Sequence, residues 1–81
     1  MTSRTKEEMF LIKLYEMADK LGDAFTFINP SLVGKAIFVK DKRVQNIIQQ
    51  LTQANFTRKS DGLISLTPHG LRLVENLRSN N

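Results

Sequence analysis

Apolar residues return at helical spacing in three stretches of the chain. Phe10, Leu11, Leu14, Tyr15, Met17, Ala18 and Leu21 recur every three or four positions, as one face of a helix requires. Thr5 and Glu8 stand ahead of this run as a capping box, and Gly22 follows as a natural stop. The spacing predicts a first helix over about 5–21. Val44, Ile47, Ile48 and Leu51 fall at i, i+3, i+4 and i+7, the clearest amphipathic signal in the chain. They predict a helix over about 41–53, capped by Asp41. Leu71, Val74 and Leu77, widened by Leu73, predict a last helix over about 68–78. Thr67 is its expected cap and Pro68 its first residue. Ser79, Asn80 and Asn81 are expected to fray.

The segments between are shorter. Asn29 and Pro30 make a good helix start, and a helix over about 30–37 should turn Leu32, Val33 and Ala36 inward. Gly34 and the β-branched residues weaken it in isolation, so packing must hold it. Phe38, Val39 and Lys40 then form the turn before the next helix. Phe25, Thr26, Phe27 and Ile28 favour a short, minor strand. Phe56–Lys59 and Leu63–Leu66 read as two strands around Asp61-Gly62, a favoured two-residue hairpin turn because both residues tolerate positive φ. Phe56, Ile64 and Leu66 should contribute to the core.

The order is therefore helix, helix, helix, small hairpin, helix. It predicts an α+β chain: a winged helix-turn-helix, with a three-helix core, a short β-hairpin wing over 56–66 and a C-terminal helix. With 81 residues, a single small domain is expected over 1–81, of a size that often gains stability by dimerising.

Charge sharpens this picture. The net charge is +4, and it is unevenly placed. Residues 35–59 hold six basic side chains (Lys35, Lys40, Lys42, Arg43, Arg58, Lys59) and one acid, Asp41. Residues 1–34 hold four basic and five acidic side chains, and residues 60–81 hold two of each. The surplus sits on the helix-turn-helix and the first wing strand. A polyanion would favour it there, because cations displace counterions from phosphates. A solvated lysine-rich surface without a partner has the same composition.

The helix–wing–helix succession resembles the small bacterial winged-helix regulators of the MarR/PadR type. In those proteins the second wing strand runs into a Leu-Thr-x-x-Gly element that opens the next helix. Here that element is Leu66-Thr67-Pro68-His69-Gly70, followed by Leu71-Arg72-Leu73-Val74. Leu51 matches the leucine that closes the recognition helix. Asn55-Phe56 takes the place of the usual Gly-Leu/Phe, and Asn still allows a left-handed backbone. The resemblance spans roughly 30–77. It departs in length, being much shorter than a full MarR-type regulator with its extra dimerisation helices, and in a short wing with only Arg58 and Lys59 as strong phosphate partners.

The resemblance implies double-stranded DNA as partner and transcriptional regulation as function. A helix over 41–53 fits the major groove. Its outer face carries Lys42, Arg43, Gln45, Asn46, Gln49 and Gln50, with no carboxylate after the cap. Gln45, Asn46 and Gln49 are the expected base contacts, with the amides suited to adenine, and Arg43 is suited to guanine or phosphate. Lys35, Lys40 and Lys42 are expected on the DNA backbone, which positions the protein without selecting a sequence. Arg58 and Lys59 would reach flanking phosphate or minor groove from the wing. A symmetric homodimer would read two half-sites. Met9, Ile12, Tyr15, Leu73 and Leu77 are candidates for its interface, and each is equally suited to the chain's own core.

Other classes fit less well. The chain has no cysteine, a single histidine (His69) and no Gly-rich phosphate loop, so no metal, cofactor or enzymatic activity is expected. No apolar stretch approaches the roughly 18 residues of a membrane span, the first residues carry acidic side chains, and a cytoplasmic location is expected. The competing reading is a winged-helix protein-interaction module or a subunit of a larger assembly. A dry patch of Phe38, Val39 and Leu63 would favour it. A continuous basic face, with apolar area on the first and last helices, would favour DNA binding with dimerisation.

Overall fold

The computed structural model describes residues 4–79. Its elements are α1 (Lys6–Lys20), α2 (Pro30–Ala36), α3 (Asp41–Gln53), β1 (Thr57–Ser60), β2 (Leu63–Leu66) and α4 (Pro68–Ser79). The architecture is α+β, a winged helix-turn-helix. Ser79 is helical rather than frayed. Asn80 and Asn81, also expected to fray, lie outside the described residues.

Local chemistry sets most element starts. The Thr5 hydroxyl accepts from Glu8 N while the Glu8 carboxylate accepts from Thr5 N, closing the capping box of α1. Asn29 Oδ1 accepts from Ser31 N at 2.9 Å and Pro30 takes the first turn of α2. Thr67 Oγ1 accepts from Gly70 N at 3.0 Å and caps α4. The cap of α3 differs from expectation. Lys40 occupies the cap position and makes no side-chain cap bond, while Asp41 is the first helical residue. There its carboxylate still favours the helix dipole.

Helices α1, α2 and α3 end alike. A left-handed residue follows each helix, and two backbone amides return to the last turn, as in a Schellman motif. That residue is Gly22 at φ 107° after α1, Phe38 at φ 61° after α2 and Asn55 at φ 66° after α3. After α2, Phe38 N donates to Lys35 O at 3.2 Å and Val39 N to Gly34 O at 2.9 Å. After α3, Asn55 N donates to Thr52 O at 3.0 Å and Phe56 N to Leu51 O at 2.9 Å. Glycine accepts this backbone freely and asparagine tolerates it. A phenylalanine there costs roughly 1–2 kcal/mol.

The core gathers Phe10, Leu11, Leu14 and Ala18 from α1, Val33 from α2, and Val44, Ile47, Ile48 and Leu51 from α3. Ile64, Leu66 and Val74 close it from the hairpin and α4. Burying each large apolar side chain contributes roughly 1.5–3 kcal/mol. Phe56 packs against this cluster but is only partly buried. Leu32 and Ala36 do not point inward as expected. Both are exposed, and Ile37 and Val39 fill the core instead. With only seven residues, α2 has little face to bury, and the close approach of α3 fixes which side that is. A Cβ on Gly34 would collide with the Val44 side chain and lie 3.2 Å from Val39 O. Gly34 therefore weakens α2 locally and permits its packing on α3.

The hairpin pairs Thr57 with Leu66, Arg58 with Ser65, Lys59 with Ile64 and Ser60 with Leu63, antiparallel. Asp61 and Gly62 turn it with φ of 52° and 79°, both in the left-handed region that such a turn needs. The expected third strand is reduced to one bridge. Ile28 N donates to Ile64 O at 2.8 Å, and Ile64 N to Ile28 O at 2.9 Å. Asp23 prevents a longer strand. Its side chain accepts from Phe25 N and its carbonyl from Thr26 N, which folds that stretch into a turn.

Candidate nucleic-acid interface

The buried stripe of α3 decides what faces outward. With Val44, Ile47, Ile48 and Leu51 in the core, Lys42, Arg43, Gln45, Asn46, Gln49 and Gln50 are all exposed. Lys35 at the end of α2, Lys40 at the start of α3, and Arg58 and Lys59 on β1 are exposed as well. Among the described residues, none of these six cations is in an ion pair, whereas Lys13 pairs with Glu16 on α1. The cations are free to meet an anion without first losing an internal partner.

Two shallow grooves flank α3. One is lined by Gln45, Asn46, Gln49, Thr52, Gln53 and Lys59. It brings the wing cation Lys59 beside three amides expected to meet bases. The other is lined by Lys40, Lys42, Arg43, Asn46, Ile47 and Gln50, with Glu7 of α1 on its wall. Asn46 borders both. The sequence gives no sign of Glu7, because its approach to α3 is set by helix packing. Arg58 neighbours Lys59 but points to the opposite face of the strand, and Lys35 lines neither groove.

The hairpin is anchored at its base. Thr67 Oγ1 donates to Asn55 O at 2.6 Å, and Thr67 N donates to Phe56 O at 3.1 Å. One threonine thus ties the end of α3 to the start of α4 across the hairpin. A Cβ on Gly70 would strike the Phe56 carbonyl, so only glycine fits there. The Phe56 and His69 rings stack outside this junction, with centroids 4.7 Å apart. Thr52 and Thr57 hydroxyls share a hydrogen bond of 3.0 Å that joins α3 to β1. The wing is therefore fixed in position relative to α3.

The residues singled out for self-association lie elsewhere. Met9, Ile12, Tyr15 and Leu73 are partly buried and pack against the chain's own core, and Leu77 is partly buried. The Arg78 guanidinium lies over the Tyr15 ring at 4.9 Å, a cation–π contact between α4 and α1. Large exposed apolar side chains are instead Leu21, Phe27, Leu32, Phe38 and Leu63. Val39 is buried at 7% exposure and adds nothing to an exposed apolar surface with Phe38 and Leu63. Among the described residues no cluster of His, Cys, Asp or Glu could hold a metal ion. No described helix is long and apolar enough to cross a membrane.

No protein-family model matches the chain, and no curated protein does. Among solved structures, the chain resembles a candidate transcriptional regulator protein from Pseudomonas aeruginosa PA01 with a TM-score of 0.66. The match covers 94% of this chain at 16% identity. The chain spans 53% of that protein's length. At this identity the likeness establishes a shared winged-helix fold.

Proposed function

We propose that the chain binds double-stranded DNA and acts as a transcriptional regulator. Helix α3 enters the major groove and the hairpin rests on flanking backbone. One observation carries this reading: Lys59 of the wing and Gln45, Asn46 and Gln49 of α3 line one open groove. It sits on a face whose cations have no internal ion pair among the described residues. Gln45, Asn46, Gln49 and Arg43 read base edges, because amides and guanidinium match base donor and acceptor patterns. Lys35, Lys40, Lys42, Arg58 and Lys59 hold phosphates. The structural relative is described as a candidate transcriptional regulator, which agrees with this role. The Leu66–Gly70 element resembles the one that opens the next helix in MarR/PadR-type regulators, and the proposal takes the chain to be of that general type. No catalysis is invoked, and a cytoplasmic location follows from the role.

A homodimer reading two half-sites completes the proposal. Its interface uses the partly exposed edges of Met9, Ile12, Tyr15, Leu73 and Leu77. The test is fluorescence anisotropy of a labelled duplex with wild type and a Lys42→Ala, Lys59→Ala double variant. Wild type should bind with steep salt dependence and the variant weakly, with a shallower slope. Equal binding by the two proteins would contradict the assignment. The second reading, a protein-interaction module, draws on the exposure of Leu32 and Phe38 on the α2 side. It predicts salt-insensitive or negligible duplex binding.

A further inference from the structure

Phe38 combines two features that folding alone does not explain. Its backbone is left-handed at φ 61°, where glycine is the usual occupant. Its ring is 94% exposed, so it contributes nothing to the core. A glycine would serve the end of α2 better, and the ring is left almost wholly open to solvent. Such a side chain is best accounted for by something it touches outside the chain.

Its surroundings indicate what that is. Phe38 lies in the turn that leads into the amino end of α3, between the exposed cations Lys35 and Lys40. Lys42 and Arg43 follow in the first turn of α3. The neighbouring Val39 is buried, so the long exposed side chains that flank the ring in the turn are the cations Lys35 and Lys40. The matching partner is anionic and offers an isolated apolar group. Duplex DNA does so in the major groove, where the 5-methyl of thymine projects among polar base edges and phenylalanine is a suitable contact.

We infer that Phe38 contacts a thymine 5-methyl group at the groove edge and adds a preference for A·T pairs to the amide contacts of α3. This rests on the DNA-binding reading above. It extends that reading to a residue outside the polar face.

The test uses two duplexes, poly(dA–dT) and poly(dA–dU), which differ only in the thymine methyl groups. Anisotropy titrations would compare wild type, Phe38→Ala, Phe38→Gly and Lys42→Ala. Wild type should bind the thymine duplex about fourfold more tightly, the scale of one buried methyl group. Phe38→Ala and Phe38→Gly should bind both duplexes equally, at the wild-type level for the uracil duplex. Phe38→Gly suits the backbone at this position, so its loss reports the ring rather than unfolding. Lys42→Ala should weaken both duplexes and keep the ratio. A ratio retained in Phe38→Ala would assign the methyl contact to another residue and overturn the inference. So would unchanged binding of Phe38→Ala to both duplexes, the result expected if a protein covers Phe38 together with Leu32. A wild type that binds both duplexes equally overturns this inference alone, whereas one that binds neither overturns the DNA reading with it.

Discussion

Gly70 and Phe56 are held so close that no side chain fits between them: a Cβ on Gly70 would strike the Phe56 carbonyl oxygen and lie 2.9 Å from its carbon. This contact locks the start of α4 to the base of the wing. Gly70→Ala must push the two apart, and neither side is a flexible side chain. The expected loss is about 2–3 kcal/mol, in the range of overpacked buried sites. Urea denaturation followed by circular dichroism checks it; a change below about 0.5 kcal/mol, the scale of ordinary surface substitutions, would mean that the junction relaxes freely.

Thr67 makes two hydrogen bonds with one hydroxyl, donating to Asn55 O and accepting from Gly70 N. Thr67→Val keeps the shape and removes both, and should cost about 1–2 kcal/mol. Thr67→Ser should retain most of the stability. The same denaturation series distinguishes them, and equal stability of the two variants would deny the hydroxyl its role.

These junctions show why much of the fold is legible in the sequence. The capping box of Thr5 and Glu8, the Asn29-Pro30 start, the Asp61-Gly62 turn and the Thr67 cap are local arrangements, complete within a few residues. The stripe of α3 is legible for the same reason, and its outer face follows from it. What depends on packing is not legible. Leu32 and Ala36 look inward by spacing, yet α3 approaches through Gly34 and selects Val33, Ile37 and Val39. Phe25–Ile28 has strand composition, but Asp23 captures its backbone. Neither the grouping of Lys59 with Gln45, Asn46 and Gln49 nor the entry of Glu7 can be read from spacing, because each joins elements distant in sequence. Phe38 falls at the left-handed position only because α2 stops at Ala36.

Asn46 borders both grooves beside α3, and the proposed DNA reading assigns it, with Gln45, to base selection. Gln45→Ala or Asn46→Ala should reduce preference for a cognate site by about 1–3 kcal/mol while leaving random-duplex binding nearly intact. Competition binding against random duplex measures this. Equal losses on both duplexes would remove the base-reading role.

Lys59 of the wing lines one groove with the amides Gln45, Asn46 and Gln49 of α3. Lys59→Ala should weaken all duplexes alike and lower the salt slope by about one. Salt titrations of binding provide the check, and an unchanged slope would take Lys59 off the phosphate.

Glu7 is the carboxylate on the wall of a groove otherwise lined by Lys40, Lys42, Arg43 and neutral side chains. In a phosphate-binding role it repels the ligand. Glu7→Gln should therefore tighten duplex binding by about 0.3–1 kcal/mol, the scale of an exposed charge interaction, most clearly at low salt. Unchanged affinity at low salt would place DNA away from this groove.

The most direct test of DNA recognition by α3 and the wing is selection of the purified chain on a random-sequence duplex pool, followed by salt titration on the enriched sequences. The account predicts recovery of an A·T-containing motif in two spaced, inverted half-sites, bound with steep salt dependence. Weak binding without enrichment that vanishes near physiological salt would contradict it.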